Sequence, residues 1–350
     1  MLSTYISILL VIANACRGDI GGTTAEGWEF VRPLFKENFD EGRDLGASIA
    51  VYHQGRLVVD LWGGLVDRDC QQPYNDNTLQ LVFSTTKGLV AVAVALCVQH
   101  GYLDYSALVT KYWPEYGQHG KENTTVADIL SHRAGLPYEL VPFEDFLNWT
   151  AMIQSLEGQR PVWPPGSTHG YHALTYGWLA GELVRRVDPK GRTLGQFIHD
   201  EIADAIDMEF YVGLLVEQQS RVSPITFSLS DLQAINQTIQ DTFLVYNEPR
   251  VRQAEIPGAN GITNARSLAR LYASLIGELD GGAQPRLLTE SILNQAITSN
   301  TPAGEVDYVF QSPVTVFGMG FWIFDQTYPF PGSNSFGFGG KSNAFVLRII

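Results

Sequence analysis

The decisive stretch of this sequence is Leu81-Val82-Phe83-Ser84-Thr85-Thr86-Lys87, followed by an apolar run from Gly88 to Val98. Its first three residues are typical of the end of a buried segment and the apolar run of a buried helix, which places Ser84 at a helix start. There the free backbone N–H groups favour an ionised nucleophile and a developing oxyanion. Lys87, on the same helix face, would remove the hydroxyl proton if burial made it less basic.

A less specific interpretation fits the same residues. Ser84 would cap the helix and Lys87 would lie on the surface. With ordinary serine and lysine frequencies, about one such spacing arises by chance in a chain of this length. Other stretches must therefore decide between a catalytic and a structural pair.

Composition excludes several classes of protein. The chain has 350 residues, 45% hydrophobic and 17% charged, which indicates a large core in one or two domains rather than disorder. The net charge of −14 is spread along the chain without a basic stripe, so neither nucleic acid nor an anionic membrane is expected as the main partner. Cysteine and histidine spacings predict no metal site, and we expect no cofactor.

The first 15 residues are predicted to be a secretory signal peptide. An apolar stretch from Ile6 to Ala13 leads to the small-x-small pattern Ala13-Asn14-Ala15, typical of a cleavage site. The stretch is too short to span a bilayer. No Lys or Arg precedes it, so a buried or interfacial helix is the alternative to secretion.

Sequons and cysteines are compatible with a secreted glycoprotein. The asparagines that begin an N-x-T tripeptide are Asn123, Asn148 and Asn236. Cys16 would lie at the cleavage point, and Cys97 is expected to be a buried free thiol. A Cys70–Cys97 disulfide is the less favoured alternative.

The hydrophobic pattern predicts an α/β chain of the α+β type. A helix at 28–39 precedes strands at 46–52 and 56–63, which a turn at 53–55 joins into a hairpin. Helices are then predicted at 126–130, 146–156, 174–187, 194–206 and 265–279, and strands return at 314–324 and 344–350. We therefore expect one domain over 20–350, with sheet at 20–85 and 305–350 and a mainly helical part at 86–304.

A second candidate group is Tyr171-His172-Ala173, between the loop Trp163-Pro164-Pro165-Gly166 and a helix. A tyrosine facing a cleft near Lys87 would have a lowered pKa and relay protons to and from Ser84. A packed aromatic with a solvated hydroxyl is the alternative. His172 competes as the base, but adjacent side chains point apart, so only one of the two is expected to reach Ser84.

Together these stretches resemble the serine β-lactamase-like hydrolases, in particular the esterase branch close to class C β-lactamases and D-alanyl-D-alanine carboxypeptidases. Ser84-Thr85-Thr86-Lys87 resembles the family's S-x-x-K and Tyr171-His172-Ala173 its Y-x-N. The stretch Leu130-Ser131-His132-Arg133-Ala134-Gly135-Leu136-Pro137 resembles its L-S-H-x-x-G-L-P loop, and Pro257-Gly258-Ala259-Asn260-Gly261 also fits. The similarity runs in the family's order from about Ala25 to Phe324.

The resemblance implies a β-lactamase/transpeptidase-like fold, an antiparallel sheet flanked by helices plus a mainly helical region, with the site at their junction. It implies that Ser84 is acylated, that Lys87 lowers the cost of its proton and that Tyr171 is general acid and base. The Ser84 backbone N–H would supply half the oxyanion hole. Whether Lys87 or Tyr171 is the base stays open.

Two departures from the family pattern affect substrate binding. Ala173 replaces an asparagine that binds amide side chains in β-lactamases, which favours esters. The family's K-T-G or H-x-G has no clean match here: Phe338, followed by Gly339 and Gly340, takes the place of the histidine, or else Lys341-Ser342-Asn343 is a drifted K-T-G. Loss of one anion-stabilising donor costs about 10²- to 10³-fold in rate, so weak catalysis is expected.

These observations predict a serine hydrolase acting on a small ester or amide. The alternative is an inactive relative whose cleft binds a ligand or partner. The segment from Asn343 to Ile350 resembles an apolar strand, so we also expect an open sheet edge and a truncated product, or one that depends on a partner.

Overall fold

A computed structural model describes residues 19–68, 72–227, 236–313, 315–324 and 335–340, and the backbone of 345–348. The predicted signal peptide, Cys16, Cys70 and Lys341-Ser342-Asn343 lie outside the described residues. Within the described ranges, the helices are all too short or too polar to cross a membrane.

The described residues form nine β-strands and ten α-helices. The strands are β1 (Gly21–Thr24), β2 (Gly46–His53), β3 (Arg56–Gly64), β4 (Gln80–Leu81), β5 (Phe210–Tyr211), β6 (Ile262–Thr263), β7 (Trp322–Ile323), β8 (Phe336–Gly339) and β9 (Phe345–Arg348). The α-helices are α1 (Val31–Asp40), α2 (Thr86–Gln99), α3 (Val126–Leu130), α4 (Trp149–Gly158), α5 (Thr175–Val187), α6 (Leu194–Ile198), α7 (Gln237–Leu244), α8 (Pro249–Gln253), α9 (Ala265–Ile276) and α10 (Glu290–Ile297).

The strands form antiparallel sheets with the orders β1-β3-β2, β4-β6-β5 and β7-β8-β9. The predicted hairpin is β2 and β3, in which His53 pairs with Arg56. Gln54 and Gly55, with φ of 50° and 73°, form the two-residue turn. Positive φ at both positions matches the twist of the two strands, which explains the tight connection.

Helix α2 is the centre of the main core. Its residues from Thr86 to Cys97 are all buried, and it packs against α5. A helix that is apolar all round must be enclosed on every side. The prediction of a buried helix after Ser84 is confirmed, and the site residues are thereby attached to the most enclosed element of the fold.

Helix α9 lies against both β2 and β9, so the first and last described sheets share one supporting helix. A second, smaller core of Phe35, Val59 and Leu61 lies between α1 and the first sheet. The described strands pair into separate sheets, and the expected single domain over 20–350 with sheet at both ends stays a prediction.

Two predicted elements differ in type from the observed structure. The strand expected at 314–324 is extended only at β7, because a turn that includes Gly320, with φ of 92°, reverses the chain and pairs Phe317 with Trp322. The helix expected at 194–206 is α-helical only in α6 and continues as a π-helical turn, His199–Ala203, and a 3-10 turn, Asp204–Ile206.

Candidate active site

Ser84 lies in a 3-10 turn, Phe83–Thr85, that leads directly into α2. Phe83 has a φ of 43°, a left-handed conformation that is strained for a residue with a side chain. Its ring packs edge-on against Phe243 and Tyr246, with centroids 5.6 Å away in each case. This packing offsets the strain and holds the half-buried Ser84 at the N-terminal end of α2.

Lys87 is fully buried in the first turn of α2. Its Nζ lies 3.1 Å from Ser84 Oγ and donates a hydrogen bond of 2.6 Å to the Gly258 carbonyl. Burial lowers the pKa of Lys87 to about 7, and the nearby Glu139 carboxylate acts against that shift. The interpretation of Lys87 as a surface lysine is wrong, and the expected loss of basicity is found.

The loop Pro257–Gly261 supports the serine turn from outside. The Val82 N–H donates to the Gly261 carbonyl, and the Gly261 N–H donates to Thr86 Oγ1, both at 2.9 Å. Asn260 holds the loop itself by donating from Nδ2 to the Val251 carbonyl at 2.9 Å. The sequence marks this loop only by resemblance, and its contact with Lys87 through a backbone carbonyl leaves no signal in residue type.

Tyr171 reaches the same serine from the other side of the site. Its hydroxyl donates to Ser84 Oγ at 2.8 Å, and Lys87 Nζ lies 5.0 Å from its ring centroid. The ring lies between those of Phe310 and Phe317, at 5.2 and 6.3 Å. The structure therefore brings together the three residues predicted to be catalytic.

The predicted lowering of the Tyr171 pKa is wrong. Burial raises the pKa of the phenol above its ordinary value, and its hydrogen bond with Ser84 offsets this only in part, while the Asp307 carboxylate adds to the rise. Desolvation of the phenolate is the largest of these causes, so burial decides the sign of the shift. The phenol is thus a proton donor in the free protein.

His172 points away from Ser84, which confirms that only one of the two neighbours reaches it. Its Nε2 accepts from the Leu136 N–H at 2.9 Å, and its Nδ1 donates to the Gly170 carbonyl at 2.7 Å. Burial lowers its pKa to about 4, so the ring is neutral near pH 7. His172 thereby links the Leu130–Pro137 motif to the tyrosine segment.

The residues predicted to bind substrate lie in two places. Phe338 on β8 is buried, with Lys87 Nζ 5.7 Å from its ring centroid, so it forms an apolar wall where the family has a polar or cationic group. Gly339 and Gly340 are half-buried beside it. A Cβ at Gly340 would lie 2.2 Å from the Val82 carbonyl oxygen, which shows how closely this segment approaches the serine turn. Ala173 is exposed.

One cluster of possible metal ligands exists among the described residues. His199, Asp200 and Asp204 are exposed, and their ligand atoms lie within 4.8 Å of one another. Asp200 is already paired with Arg192 at 2.9 Å. Exposed acidic groups of this kind are common without a metal, so the predicted absence of a metal stays a prediction.

A serine held between a desolvated lysine and a tyrosine is the arrangement expected of the serine hydrolases that the S-x-x-K and Y-x-N motifs resemble. The chain belongs to the Beta-lactamase family, which matches residues 31–349. The predicted family and fold are thereby confirmed.

Individual relatives include esterases. The chain is 32% identical over 271 residues to Esterase/beta-lactamase LipL of Mycobacterium tuberculosis, a match that covers 71% of this chain but 62% of that protein. It is similar to the crystal structure of a family VIII carboxylesterase, with 33% identity, a TM-score of 0.83 and coverage of 94% of this chain and 90% of that one. A penicillin-binding protein homologue from Caulobacter crescentus has 35% identity, a TM-score of 0.79 and coverage of 92% and 88%.

Proposed function

We propose that this chain is a serine hydrolase that cleaves small carboxylic esters or amides through an acyl-Ser84 intermediate, with esters preferred. The observation that supports this best is the placement of Tyr171 Oη and Lys87 Nζ at 2.8 and 3.1 Å from one hydroxyl oxygen, Ser84 Oγ. Relatives described as esterases support the same reaction class.

Lys87 is the base in the acylation step. With a pKa of about 7, much of it is neutral at pH 7 to 8, and the neutral amine has a lone pair to accept the Ser84 proton. One N–H remains bonded to the Gly258 carbonyl and keeps the amine in place. Ser84 Oγ then attacks the substrate carbonyl, and the Ser84 backbone N–H stabilises the resulting oxyanion.

Tyr171 is the acid that releases the alcohol. Its protonated phenol already donates to Ser84 Oγ, the atom next to which the leaving oxygen develops charge. The phenol gives its proton to the leaving alkoxide and is reprotonated by the Lys87 ammonium. Water then attacks the carbonyl of acyl-Ser84, and the same proton transfers in reverse release the carboxylic acid product and free Ser84.

Preference for esters over β-lactams follows from the two substrate-side residues. Ala173 offers no amide to a β-lactam side chain, and the buried Phe338 offers no charge to its carboxylate. Both changes remove polar contacts that such an antibiotic needs and that a neutral ester does not.

Secretion and glycosylation belong to this proposal as well. Asn123 and Asn236 are exposed, as an acceptor asparagine must be, and Asn148 caps α4 through its side chain. Expression of the full chain in a secreting eukaryotic host should yield extracellular protein, with a mass that falls on treatment with a peptide N-glycosidase. Retention inside the cell without cleavage of the first 15 residues would refute this part.

Hydrolysis of short-chain p-nitrophenyl esters tests the reaction. The purified chain is compared with Ser84→Ala, with Tyr171→Phe and with nitrocefin as a β-lactam substrate, and Ser84 is labelled with a fluorophosphonate. We expect ester turnover and labelling that both disappear in Ser84→Ala, with weak nitrocefin turnover. Folded protein without serine-dependent turnover would favour the alternative, an inactive relative that binds a ligand or partner.

A further inference from the structure

A buried chain of charged and polar side chains lies behind Tyr171, and the sequence gives no hint of it. Arg133 Nη1 donates to Glu305 Oε2 at 2.5 Å, and the same carboxylate oxygen lies 2.5 Å from His169 Nδ1. His169 Nε2 lies 2.9 Å from Thr315 Oγ1, which donates to Asp307 Oδ2 at 2.9 Å. The side chains of His169 and Asp307 are fully buried.

The hydrogen-bond directions fix the protons in this chain. Asp307 accepts the Thr315 hydroxyl proton and backbone N–H groups, which suits an ionised carboxylate. Since the single Thr315 proton points to Asp307, Thr315 Oγ1 must accept from His169 Nε2–H. Glu305 is held ionised by Arg133, because their ion pair lowers its pKa despite the opposing effect of burial, and so it accepts from His169 Nδ1–H.

Both ring nitrogens of His169 are therefore donors, which only an imidazolium can satisfy. Two carboxylates compensate its charge, Glu305 at 2.5 Å and Asp307 at 3.8 Å. His132, from the loop after α3, is a further titratable group that interacts electrostatically with His169. Burial lowers the pKa of His132 well below its ordinary value, so His132 adds no charge near neutral pH.

Asp307 transmits this arrangement to the active site. Its carboxylate accepts the Tyr171 N–H at 3.1 Å and the N–H groups of Val309 and Phe310 at 2.8 Å each. The same loop places the Phe310 ring 5.2 Å from the Tyr171 ring, nearly parallel to it at 19°. One buried carboxylate thus fixes both the backbone of Tyr171 and the aromatic residue that covers it.

We propose that His169, as an imidazolium, and Asp307 are positioning residues that hold the Tyr171 hydroxyl on Ser84 Oγ. Neither residue touches the reacting atoms. The inference rests on the proposed function for its catalytic consequence, but the protonation of His169 is a property of the folded chain that can be measured in a protein without any activity.

The first test is nitrogen NMR of the labelled, folded chain. At pH 7.5 both ring nitrogens of His169 should carry protons, whereas the buried His172 should show a single neutral tautomer. Assignment through the labelled backbone avoids dependence on any variant. A neutral His169 ring at this pH overturns the proposal, whatever the enzyme assays show.

Kinetics of Asp307→Asn provide the second test. This variant keeps the shape but replaces one acceptor oxygen by a donor, so kcat should fall by about 10²-fold with little change in KM, as expected for a misplaced catalytic group. Asp241→Asn, at an exposed position of helix α7, is the matched control and should leave both constants unchanged. A loss confined to KM, or an unchanged kcat in the folded variant, contradicts a positioning role.

Glu305→Gln separates positioning from mere packing. The neutral amide no longer compensates the His169 charge, so we expect the imidazolium signal and kcat to fall together in this variant. A folded Glu305→Gln protein with full activity and a neutral His169 would overturn the coupling. If the wild-type chain hydrolyses nothing yet shows the imidazolium, the proposed function fails and this assignment stands.

Discussion

The two walls of the active site bury charge in opposite ways. On the α2 wall Lys87 lies beside the apolar Phe338, and no carboxylate oxygen of the described residues comes within ion-pair distance of it. Its pKa falls to about 7. On the Tyr171 wall the half-buried Glu305 lies 2.5 Å from both Arg133 and the buried His169. A buried cation without an ion-pair partner loses its proton more readily, whereas buried charges that pair with one another stay charged and fix geometry.

The largest expected effect is on activity, from Lys87→Met. Removal of the amine that lies 3.1 Å from Ser84 Oγ should lower kcat/KM for p-nitrophenyl esters by about 10²- to 10⁴-fold. Lys111→Met, which removes an exposed lysine, is the control and should have no effect. Full activity in a folded Lys87→Met protein would show that Tyr171 alone is the base.

The same variant should not weaken the fold. Because the pKa of Lys87 is lower in the native protein than its ordinary 10.5, the unfolded chain binds one more proton between pH 7 and 10. Stability from this group therefore rises with pH by about 1.4 kcal/mol per unit in that range. Denaturant unfolding at pH 8 should find Lys87→Met at least as stable as the wild type, and a large loss would contradict a desolvated lysine.

On the opposite wall, Arg133→Met should destabilise the protein by about 3 to 5 kcal/mol, because it removes the guanidinium that pairs with the half-buried Glu305. Arg250→Met is a well-matched control, since Arg250 pairs with Glu144 at the same 2.5 Å but on the surface. Because solvent screens both of its partners, that exposed pair should contribute little to the unfolding free energy. Equal losses of unfolding free energy in the two variants would remove the distinction between buried and exposed pairs.

The pH profile of the wild type sharpens the comparison further. Ester kcat/KM should rise with pH through a midpoint near 7, as Lys87 loses its proton and becomes able to accept one from Ser84. If protonation of Lys87 causes this pH dependence, the rise in kcat/KM near pH 7 should disappear in Lys87→Met. A rise with the same midpoint in that variant would assign the titration to another group.

The smallest expected effect comes from Glu139→Gln. The Glu139 carboxylate raises the pKa of Lys87 against the effect of burial, so its loss should move the midpoint to lower pH, by less than about one unit. Glu144→Gln, on the surface, should leave the midpoint in place. A shift to higher pH in Glu139→Gln would contradict the sign of this interaction.

The sequence was informative wherever the chemistry depends on neighbours along the chain. The Ser84–Lys87 spacing, the apolar run after it and the hairpin at 53–55 predict the serine turn, helix α2 and the first sheet, and the structure agrees with each. These features arise from periodicity and turn chemistry, which act over a few residues.

The sequence failed where the partner is remote. Asp307 and Gly258 lie 136 and 171 positions from the residues they hold, Tyr171 and Lys87. The predicted sign of the Tyr171 pKa shift was wrong for the same reason. Burial of the phenol, whose ring lies beside those of Phe310 and Phe317, exceeds the effect of one nearby cation. Burial is a property of the packed fold, and no local pattern reports it.

The hydrogen bonds of His172 imply that the loop of Leu136 and the loop of Gly170 open together. The His172 ring accepts the Leu136 N–H and binds the Gly170 carbonyl, so neither loop can separate without losing a buried hydrogen bond. In heavy water, the Leu136 amide should therefore exchange as slowly as the amides of helix α2, although it belongs to a loop. The exchange rate of this one amide would therefore report how often the two loops of the active site separate.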